Sequence, residues 1–408
     1  MTTHPSMPHV VPMPDDRALA RLCARVAGAL HHAGTPAHRL EQAVDEVRHA
    51  YGRPGSTVVT PTALWLQVGD CSHVARLPPA DIDLAAMGAV LRWVERLRER
   101  PAPVAVAERA LERMLRRPTP WPREAEQGAF VFTSASAAVL LGGGWLDVLL
   151  AAVAGAIALG FLGRVTPASA WSPLRDALLA VVLGAVSAFA VPLGGSPSIV
   201  ALSGAILVVP GLSMTTALAE LAAGQWTAGG SRLLGTALVL AQLAAGLAVG
   251  WWAVGPLPAW LPPLPLPDPV VQLVPLLAPA GFAVLLRSPA RDLPAVWLTA
   301  VMGWSAATAV PGLGGAFLGG LTVALVAGTM GRLARVPDLA LVVPGILLLV
   351  PGTVGVRGVE QLLEHAVVDG TATALASLET AGVLAAGVFA GQAVVTQARA
   401  RWAGRYGA

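Results

Sequence analysis

Residues 145–164 have the sequence WLDVLLAAVAGAIALGFLGR, in which eighteen of twenty residues carry no charge. An apolar helix of about 20 residues is long enough to cross the ~30 Å hydrocarbon core of a bilayer. Nine similar apolar runs occur in the chain, and together the ten predicted spans cover residues 127–143, 145–164, 173–192, 198–220, 231–254, 270–287, 292–310, 313–331, 338–359 and 374–397. The sequence therefore predicts an α-helical polytopic membrane protein with about ten transmembrane helices.

The charged residues are concentrated before these runs. The chain is 55% hydrophobic and 12% charged, against about 25% charged in a soluble domain. Sixteen of the 27 basic residues, all arginine, and 14 of the 24 acidic residues precede residue 127. This distribution predicts a soluble N-terminal domain followed by a membrane domain. The sequence pI of about 9.5 follows from arginines that flank the helices and does not indicate nucleic-acid binding.

Composition divides the chain into six segments. We predict a disordered N-terminus (1–16), a small cytoplasmic α+β domain with its linker (17–126), a first group of five membrane helices (127–254), a Pro-rich outer loop (255–269), a second group of five (270–397) and a cytoplasmic tail (398–408). In the α+β domain, residues 17–33, 35–50, 83–100 and 104–117 have helical patterns, and 57–60, 63–68 and 73–76 are short strands. Thr35 is the predicted N-cap of the second helix, with Pro36 at its first position.

Arginine placement predicts the orientation of the ten helices. Loops on the N-domain side and the tail carry Arg164, Arg175, Arg232, Arg287, Arg291, Arg332, Arg335, Arg399, Arg401 and Arg405, whereas the opposite loops carry only Arg357. Arginine accumulates in cytoplasmic loops. No basic-then-apolar signal peptide is seen at the N-terminus. We therefore expect a multi-pass protein of the cytoplasmic (inner) membrane with both termini in the cytoplasm.

An internal repeat relates the two groups of helices. A shift of 141 residues aligns 204–250 with 345–391, and thirteen of the 47 positions are identical. The identities include six Gly or Pro positions: Gly204/Gly345, Pro210/Pro351, Gly211/Gly352, Gly229/Gly370, Gly246/Gly387 and Gly250/Gly391. The alternative is coincidence in a chain rich in Ala, Leu and Gly. Because each unit holds five helices, an odd number, the second copy would enter the membrane inverted, as in many secondary transporters.

The Pro-Gly pairs at the centre of spans four and nine predict two broken helices. Proline removes an amide donor and clashes with the preceding turn, and the backbone groups so released within a bilayer need other partners. Paired breaks of this kind point to a transport site; the alternative is a Pro kink that serves only packing. The candidate substrate-binding residues are Pro210, Gly211, Ser213, Thr215, Thr216, Pro351, Gly352, Thr353 and Arg357.

Three carboxylates in or near the spans are candidates for proton coupling. Glu379 lies about a turn and a half inside span ten, Asp147 at the start of span two and Glu220 at the end of span four. An ionisable residue inside a membrane is energetically costly and is a functional candidate. Asp147 and Glu220 lie near the interfaces, where solvation is an equally good explanation.

Other chemistry has weaker support. Cys23 and Cys71 are the only cysteines, and neither they nor the clustered histidines have zinc-ligand spacing. No phosphate-binding Walker loop occurs, so we expect no metal, no cofactor and no ATP-driven pumping. A Cys/His hydrolase using Cys71 and His73 remains an alternative, although no activated-nucleophile motif supports it.

An ordered set of short segments resembles the bacterial threonine/serine exporter family. The segments are 33–41 (AGTPAHRLE), 50–52 (AYG), 59–63 (VTPTA), 76–79 (RLPP), 81–84 (DIDL), 142–147 (GGGWLD) and 349–358 (LVPGTVGVRG). The segments occur in the family's order over about residues 17–397.

The resemblance implies a secondary active exporter of threonine and serine, driven by the proton gradient, and not an enzyme. Its partners would be these small molecules and the lipid bilayer, with no nucleic acid; a homo-oligomer is left open. Two-chain relatives associated with dicarboxylate export make dicarboxylates or other small metabolites one alternative. A membrane-anchored hydrolase that uses the N-terminal domain is the other.

Overall fold

The structure is a computed structural model, and it describes residues 15–77, 81–166, 169–255, 264–349, 352–363 and 367–406. The chain forms two compact units, Met1–Thr119 and Pro120–Ala408. Each unit has its own core and is described by itself.

The first unit packs four helices on one face of a small sheet. Its elements are α1 (Asp16–His32), α2 (Ala37–Ala50), β1 (Gly55–Val59), β2 (Ala63–Val68), β3 (Cys71–Arg76), α3 (Leu84–Glu99) and α4 (Val104–Leu115). The strands are antiparallel in the order β1-β2-β3. Because side chains alternate across a strand, Leu64, Leu66 and Val68 of β2 are buried while Trp65 and Gln67 are exposed.

The prediction that Thr35 caps α2 is wrong. The helix begins at Ala37, its N-cap is Pro36, and no side chain caps it. The Thr35 side chain is 3% exposed, and its amide donates to the Leu30 carbonyl oxygen at 3.0 Å. Thr35 therefore belongs to the turn that ends α1. Capping by Asp83, in contrast, is seen at α3, where its carboxylate accepts the Ala86 amide at 2.8 Å.

The second unit is helical in every long element. Its helices are α5 (Arg123–Leu140), α6 (Trp145–Arg164), α7 (Arg175–Ala188), α8 (Pro197–Gly204), α9 (Gly211–Ala222), α10 (Trp226–Val254), α11 (Asp268–Leu285), α12 (Leu293–Ala309), α13 (Leu313–Ala334), α14 (Asp338–Ile346), α15 (Gly352–Leu363) and α16 (Val367–Tyr406). Three 3-10 turns lie between them, at Ser172–Leu174, Val191–Leu193 and Ala290–Asp292.

Six helical stretches in the described ranges are long and apolar enough to cross a membrane: Trp145–Arg164, Ser172–Leu193, Trp226–Val254, Asp268–Leu285, Leu313–Ala334 and Val368–Arg399. The chain is thus a polytopic membrane protein. The count of ten remains a prediction, because the other four regions are not long, continuous apolar helices. Helix α5 carries three charges in its first turn, α12 has 17 residues, and each of the remaining two regions is a pair of short helices.

The helices of 123–254 and of 268–406 follow one another with the same packing. Helix α8 lies against α6 and α7, as α14 lies against α12 and α13; α10 packs on α7 as α16 packs on α13. The two sets contact each other where α5 packs on α11, α9 on α16, α15 on α10 and α9 on α15. Val356 of α15 accordingly lies in the apolar core of the first set, and Leu212 of α9 packs on the core of the second.

Glycines at repeat-related positions allow these close approaches. A Cβ on Gly250 would lie 2.7 Å from the Ala185 nitrogen of α7, and one on Gly391, 141 positions later, would lie 2.6 Å from the Ala324 Cβ of α13. Such distances are far below van der Waals contact, so a side chain at either position would push the two helices apart. Small residues permit the same close approach of helices in membranes generally.

Candidate functional site

The two Pro-Gly breaks meet inside the second unit. Helix α8 ends at Gly204 and α9 begins at Gly211, while α14 ends at Ile346 and α15 begins at Gly352. A Cβ on Gly352 would lie 2.9 Å from the Gly211 Cα and 3.0 Å from the Gly211 nitrogen. The backbones of the two breaks therefore touch, and a side chain at Gly352 would separate them. We call this contact of Gly211 and Gly352 the Pro-Gly junction.

The first turn of α9 presents backbone amides at the junction. The Gly211 amide donates to the Val209 carbonyl oxygen at 2.9 Å, and the Met214 amide to that of Pro210 at 3.0 Å. Within the described part of the chain, the amides of Leu212 and Ser213 have no recorded acceptor. The first amides of any helix lack an intrahelical partner, and together with the helix dipole they favour an anion.

Pro210 is the N-cap of α9, and Gly211 and Gly352 begin the helices that follow the two breaks. The other six predicted substrate-binding residues divide into three groups. Ser213 and Thr216 are half-buried on α9, and Arg357 is half-buried on α15. Thr215 is 2% exposed, and its hydroxyl donates to the Gly211 carbonyl oxygen at 3.3 Å, so it stabilises the helix start. Pro351 lies outside the described residues, as does the side chain of Thr353.

Asp147 caps two helices at once. Its carboxylate is 1% exposed and accepts the Gly144 amide at 2.9 Å, at the start of α6, and the Ser196 amide at 2.6 Å, at the start of α8. Hydrogen bonds between a carboxylate and backbone amides at a helix start satisfy amides that have no partner within the helix. The contacts assign Asp147 an anchoring position between α6 and the broken α8.

Glu220 forms a buried ion pair. Its side chain is fully buried, and Arg232 of α10 donates from Nε at 2.9 Å and from Nη2 at 3.0 Å to its two oxygens. This two-bond geometry fixes the carboxylate in place. Of the three proton-coupling candidates, Glu379 alone has an exposed side chain, on α16.

A second side-chain contact lies at the repeat-related position. The Thr373 hydroxyl of α16 donates to the Gln361 side-chain oxygen of α15 at 2.8 Å. Adding 141 to Glu220 and Arg232 gives Gln361 and Thr373. Reasoning from charged residues missed this neutral pair, although the 141-residue shift would have found it.

Two further repeat-related hydroxyls are buried on the long helices. Thr236 of α10 is 4% exposed and its hydroxyl has no recorded partner in the described chain. Ser377 of α16, 141 positions later, is 1% exposed, and a Cβ on Gly355 of α15 would lie 3.4 Å from its oxygen. Neither residue stood out in the sequence, because hydroxyls in apolar helices are common.

A groove elsewhere in the unit is apolar. It lies between α11 and α12, has a volume of about 460 Å³, and is lined by Pro279, Ala280, Leu293, Pro294, Trp297 and Leu298. The Trp297 indole nitrogen donates to the Leu276 carbonyl oxygen at 2.6 Å. The lining offers no charge to a zwitterion, so the groove does not suit a free amino acid.

The cysteines of the first unit differ in their surroundings. Cys23 is completely buried, and this burial raises the pKa of its thiol from 9.0 to about 12. Cys71 is half-buried on β3, two residues from His73, and pairs with Val68 across the strands. A nucleophilic cysteine needs an accessible thiolate, so Cys23 does not suit that role.

Comparison with known families covers most of the chain. Residues 21–253 match one threonine/serine exporter family model, and residues 273–394 match a second. The chain belongs to the threonine/serine exporter family. A threonine/serine exporter of Corynebacterium glutamicum is 24% identical over 409 aligned residues, which cover 93% of this chain and 82% of that protein.

Membership of this family, together with the apolar helices, makes the chain a multi-pass membrane transporter and supports export of amino acids. The family is one of transporters. No solved structure matches the chain.

Proposed function

We propose that this chain is a secondary active exporter of threonine and serine whose transport site is the Pro-Gly junction. The observation that carries the proposal is the contact of Gly352 with Gly211. It brings together two helix breaks from the two sets of five helices, inside the membrane unit. Two broken helices that meet in this way are the usual construction of a secondary-transporter site.

The chemistry of an amino acid fits this junction. Its carboxylate would accept hydrogen bonds from the Leu212 and Ser213 amides, which the helix dipole supports. Arg357 on α15 supplies a positive charge from the opposing break, and Ser213 and Thr216 supply hydroxyls. Backbone carbonyl oxygens released by the breaks would accept from the ammonium group.

We further propose that the two sets of five helices are inverted repeats in a ten-span membrane domain with cytoplasmic termini. The shared helix order, the repeated packing of α8 and α14, and the paired contacts at 220/232 and 361/373 support this proposal. Alternating access would then move one repeat against the other around the junction.

The three candidate carboxylates for proton coupling differ in their contacts. Asp147 and Glu220 are both held by strong contacts within the protein. The Glu379 side chain on α16 is exposed, and a carboxylate within a membrane span is a functional candidate. We therefore assign the coupling role to Glu379, with Asp147 and Glu220 in positioning roles.

Flux through proteoliposomes tests this function. Vesicles loaded with labelled threonine, serine or succinate are given an inside-alkaline or inside-acid pH gradient, and release is followed. We expect gradient-dependent release of threonine and serine in wild type and about tenfold less gradient response in Glu379→Gln. The absence of gradient-dependent movement of all three substrates would contradict the proposal.

The same vesicles separate the alternatives. Release of succinate in preference to threonine would favour a dicarboxylate exporter on the same scaffold. If Cys71→Ser and His73→Gln abolish substrate release while variants of Gly211 and Gly352 release substrate normally, the hydrolase is favoured.

A further inference from the structure

Two side-chain contacts lie at equivalent positions in the two helical hairpins that follow the breaks. Arg232 binds Glu220 in the hairpin of α9 and α10, and Thr373 binds Gln361 in the hairpin of α15 and α16. In each hairpin the first partner lies two residues before the end of the short helix, and the second lies six residues after the start of the long one. We call these contacts the first clamp and the second clamp.

The two clamps differ in strength. The first consists of two charge-assisted hydrogen bonds, at 2.9 and 3.0 Å, to a fully buried carboxylate. The second is one hydrogen bond between neutral groups, at 2.8 Å. A charge-assisted bond is roughly twice as strong as a neutral one, and burial strengthens it further. The side-chain contact between α9 and α10 is therefore stronger than the one between α15 and α16.

We infer that this difference decides which hairpin moves during transport. The α9–α10 hairpin stays fixed, while the weaker second clamp lets α15 shift on α16 and carries Gly352 away from Gly211. Glu220 and Arg232 are thus positioning residues that hold one side of the site still, and Gln361 and Thr373 set how easily the other side opens. The inference rests on the proposed alternating access, but the strength of each clamp can be measured without transport.

Hydrogen–deuterium exchange of the full-length protein in lipid nanodiscs measures the clamps directly. Exchange reports local opening, so we expect the amides of α15 and the start of α16 to exchange at least about tenfold faster than those of α9 and the start of α10. Equal protection of the two hairpins, or the reverse order, would overturn the inference even if threonine flux is normal.

Mutations that place the ion pair in the other hairpin test how the clamps affect threonine flux. Gln361→Glu with Thr373→Arg places the ion pair in the second hairpin, and we expect slower exchange there and about tenfold slower threonine flux. The matched control is Gln361→Glu with Thr371→Arg, which adds the same charges. Because residue 371 is two positions away on α16, it faces another side of the helix and should not restore a clamp.

The opposite substitution weakens the first clamp and keeps the test valid if the variant with Gln361→Glu and Thr373→Arg is unstable. Glu220→Gln with Arg232→Thr should speed exchange in α9 and the start of α10 about tenfold. If Gln361→Glu with Thr373→Arg slows amide exchange in the second hairpin but does not slow threonine flux, the clamps are only structural and the inference is overturned. Absence of threonine flux in wild type with the expected exchange pattern would instead count against the proposed function.

Discussion

At the scale of single residues, Cys23 and Cys71 provide a direct check of the first unit. Burial raises the pKa of the Cys23 thiol to about 12 and leaves almost no thiolate at neutral pH. We expect a maleimide at pH 7.5 to label Cys71 alone in the native protein and both residues after unfolding. Labelling of native Cys23 at a rate near that of Cys71 would contradict the buried position.

The same shift predicts how stability depends on pH. The folded state holds the Cys23 proton up to about pH 12, whereas the unfolded chain releases it near 9.0. Its contribution to stability is therefore fully present below pH 9 and is lost as pH rises through this window. We expect Cys23→Ala to reduce the loss of N-terminal-unit stability between pH 9 and 11, measured by urea unfolding at each pH.

Asp147 gives a second prediction at this scale. Its two oxygens accept two backbone amides, whereas an asparagine at the same place can accept with only one oxygen. We expect Asp147→Asn to cost about 1–3 kcal/mol of stability, seen as a lower midpoint of thermal unfolding in detergent. Its gradient-dependent flux should persist in the molecules that remain folded; complete loss of proton coupling without loss of stability would instead make Asp147 a proton carrier.

At the scale of elements, glycine contacts distinguish helix interfaces from free helix faces. A Cβ on Gly246 would lie 2.5 Å from the Ala177 carbonyl oxygen, whereas one on Gly235 of the same helix would meet nothing within 4 Å. We expect Gly246→Ala to lower stability by about 1–3 kcal/mol and Gly235→Ala to be neutral or slightly stabilising. Thermal unfolding of the two variants in the same detergent compares them; equal midpoints would contradict the α7–α10 packing.

The sequence predicted the elements better than it predicted their continuity. Apolar length located α6, α10 and α13 because residues in a bilayer must be apolar over a whole span. The Pro-Gly pairs also predicted interruptions near Pro210, since proline cannot continue a helix. What the sequence could not give is that the breaks touch, because that contact depends on how distant helices pack.

Side-chain partners were the least predictable part of the candidate site. Asp147 and Glu220 stood out as isolated carboxylates, and reasoning from single residues left proton coupling and solvation near the interface as equal alternatives. Their partners are the Ser196 amide and Arg232, 49 and 12 residues away in the chain. Sequence alone does not show whether a carboxylate in a span has such a partner, so it could not separate a structural role from a functional one.

At the scale of the whole molecule, the membrane unit consists of two sets of helices, and helices of each set pack on the other. Helix α9 packs on α16 and α15 packs on α10, so each break is supported by the long helix of the other set. A relative movement of the two sets would therefore change the environment of both breaks together. This coupling is what alternating access around one central site requires.

The most direct test of the transport site compares two glycine variants of the second set in threonine-loaded proteoliposomes. A Cβ on Gly352 would lie 2.9 Å from Gly211 Cα, whereas one on Gly382 would make an ordinary 3.8 Å contact with Leu218. We expect Gly352→Ala to lower threonine flux at least about tenfold, because the site would be misplaced, and Gly382→Ala to stay within about twofold of wild type. Equal flux in the two variants, with both folded by thermal unfolding, would contradict this expectation.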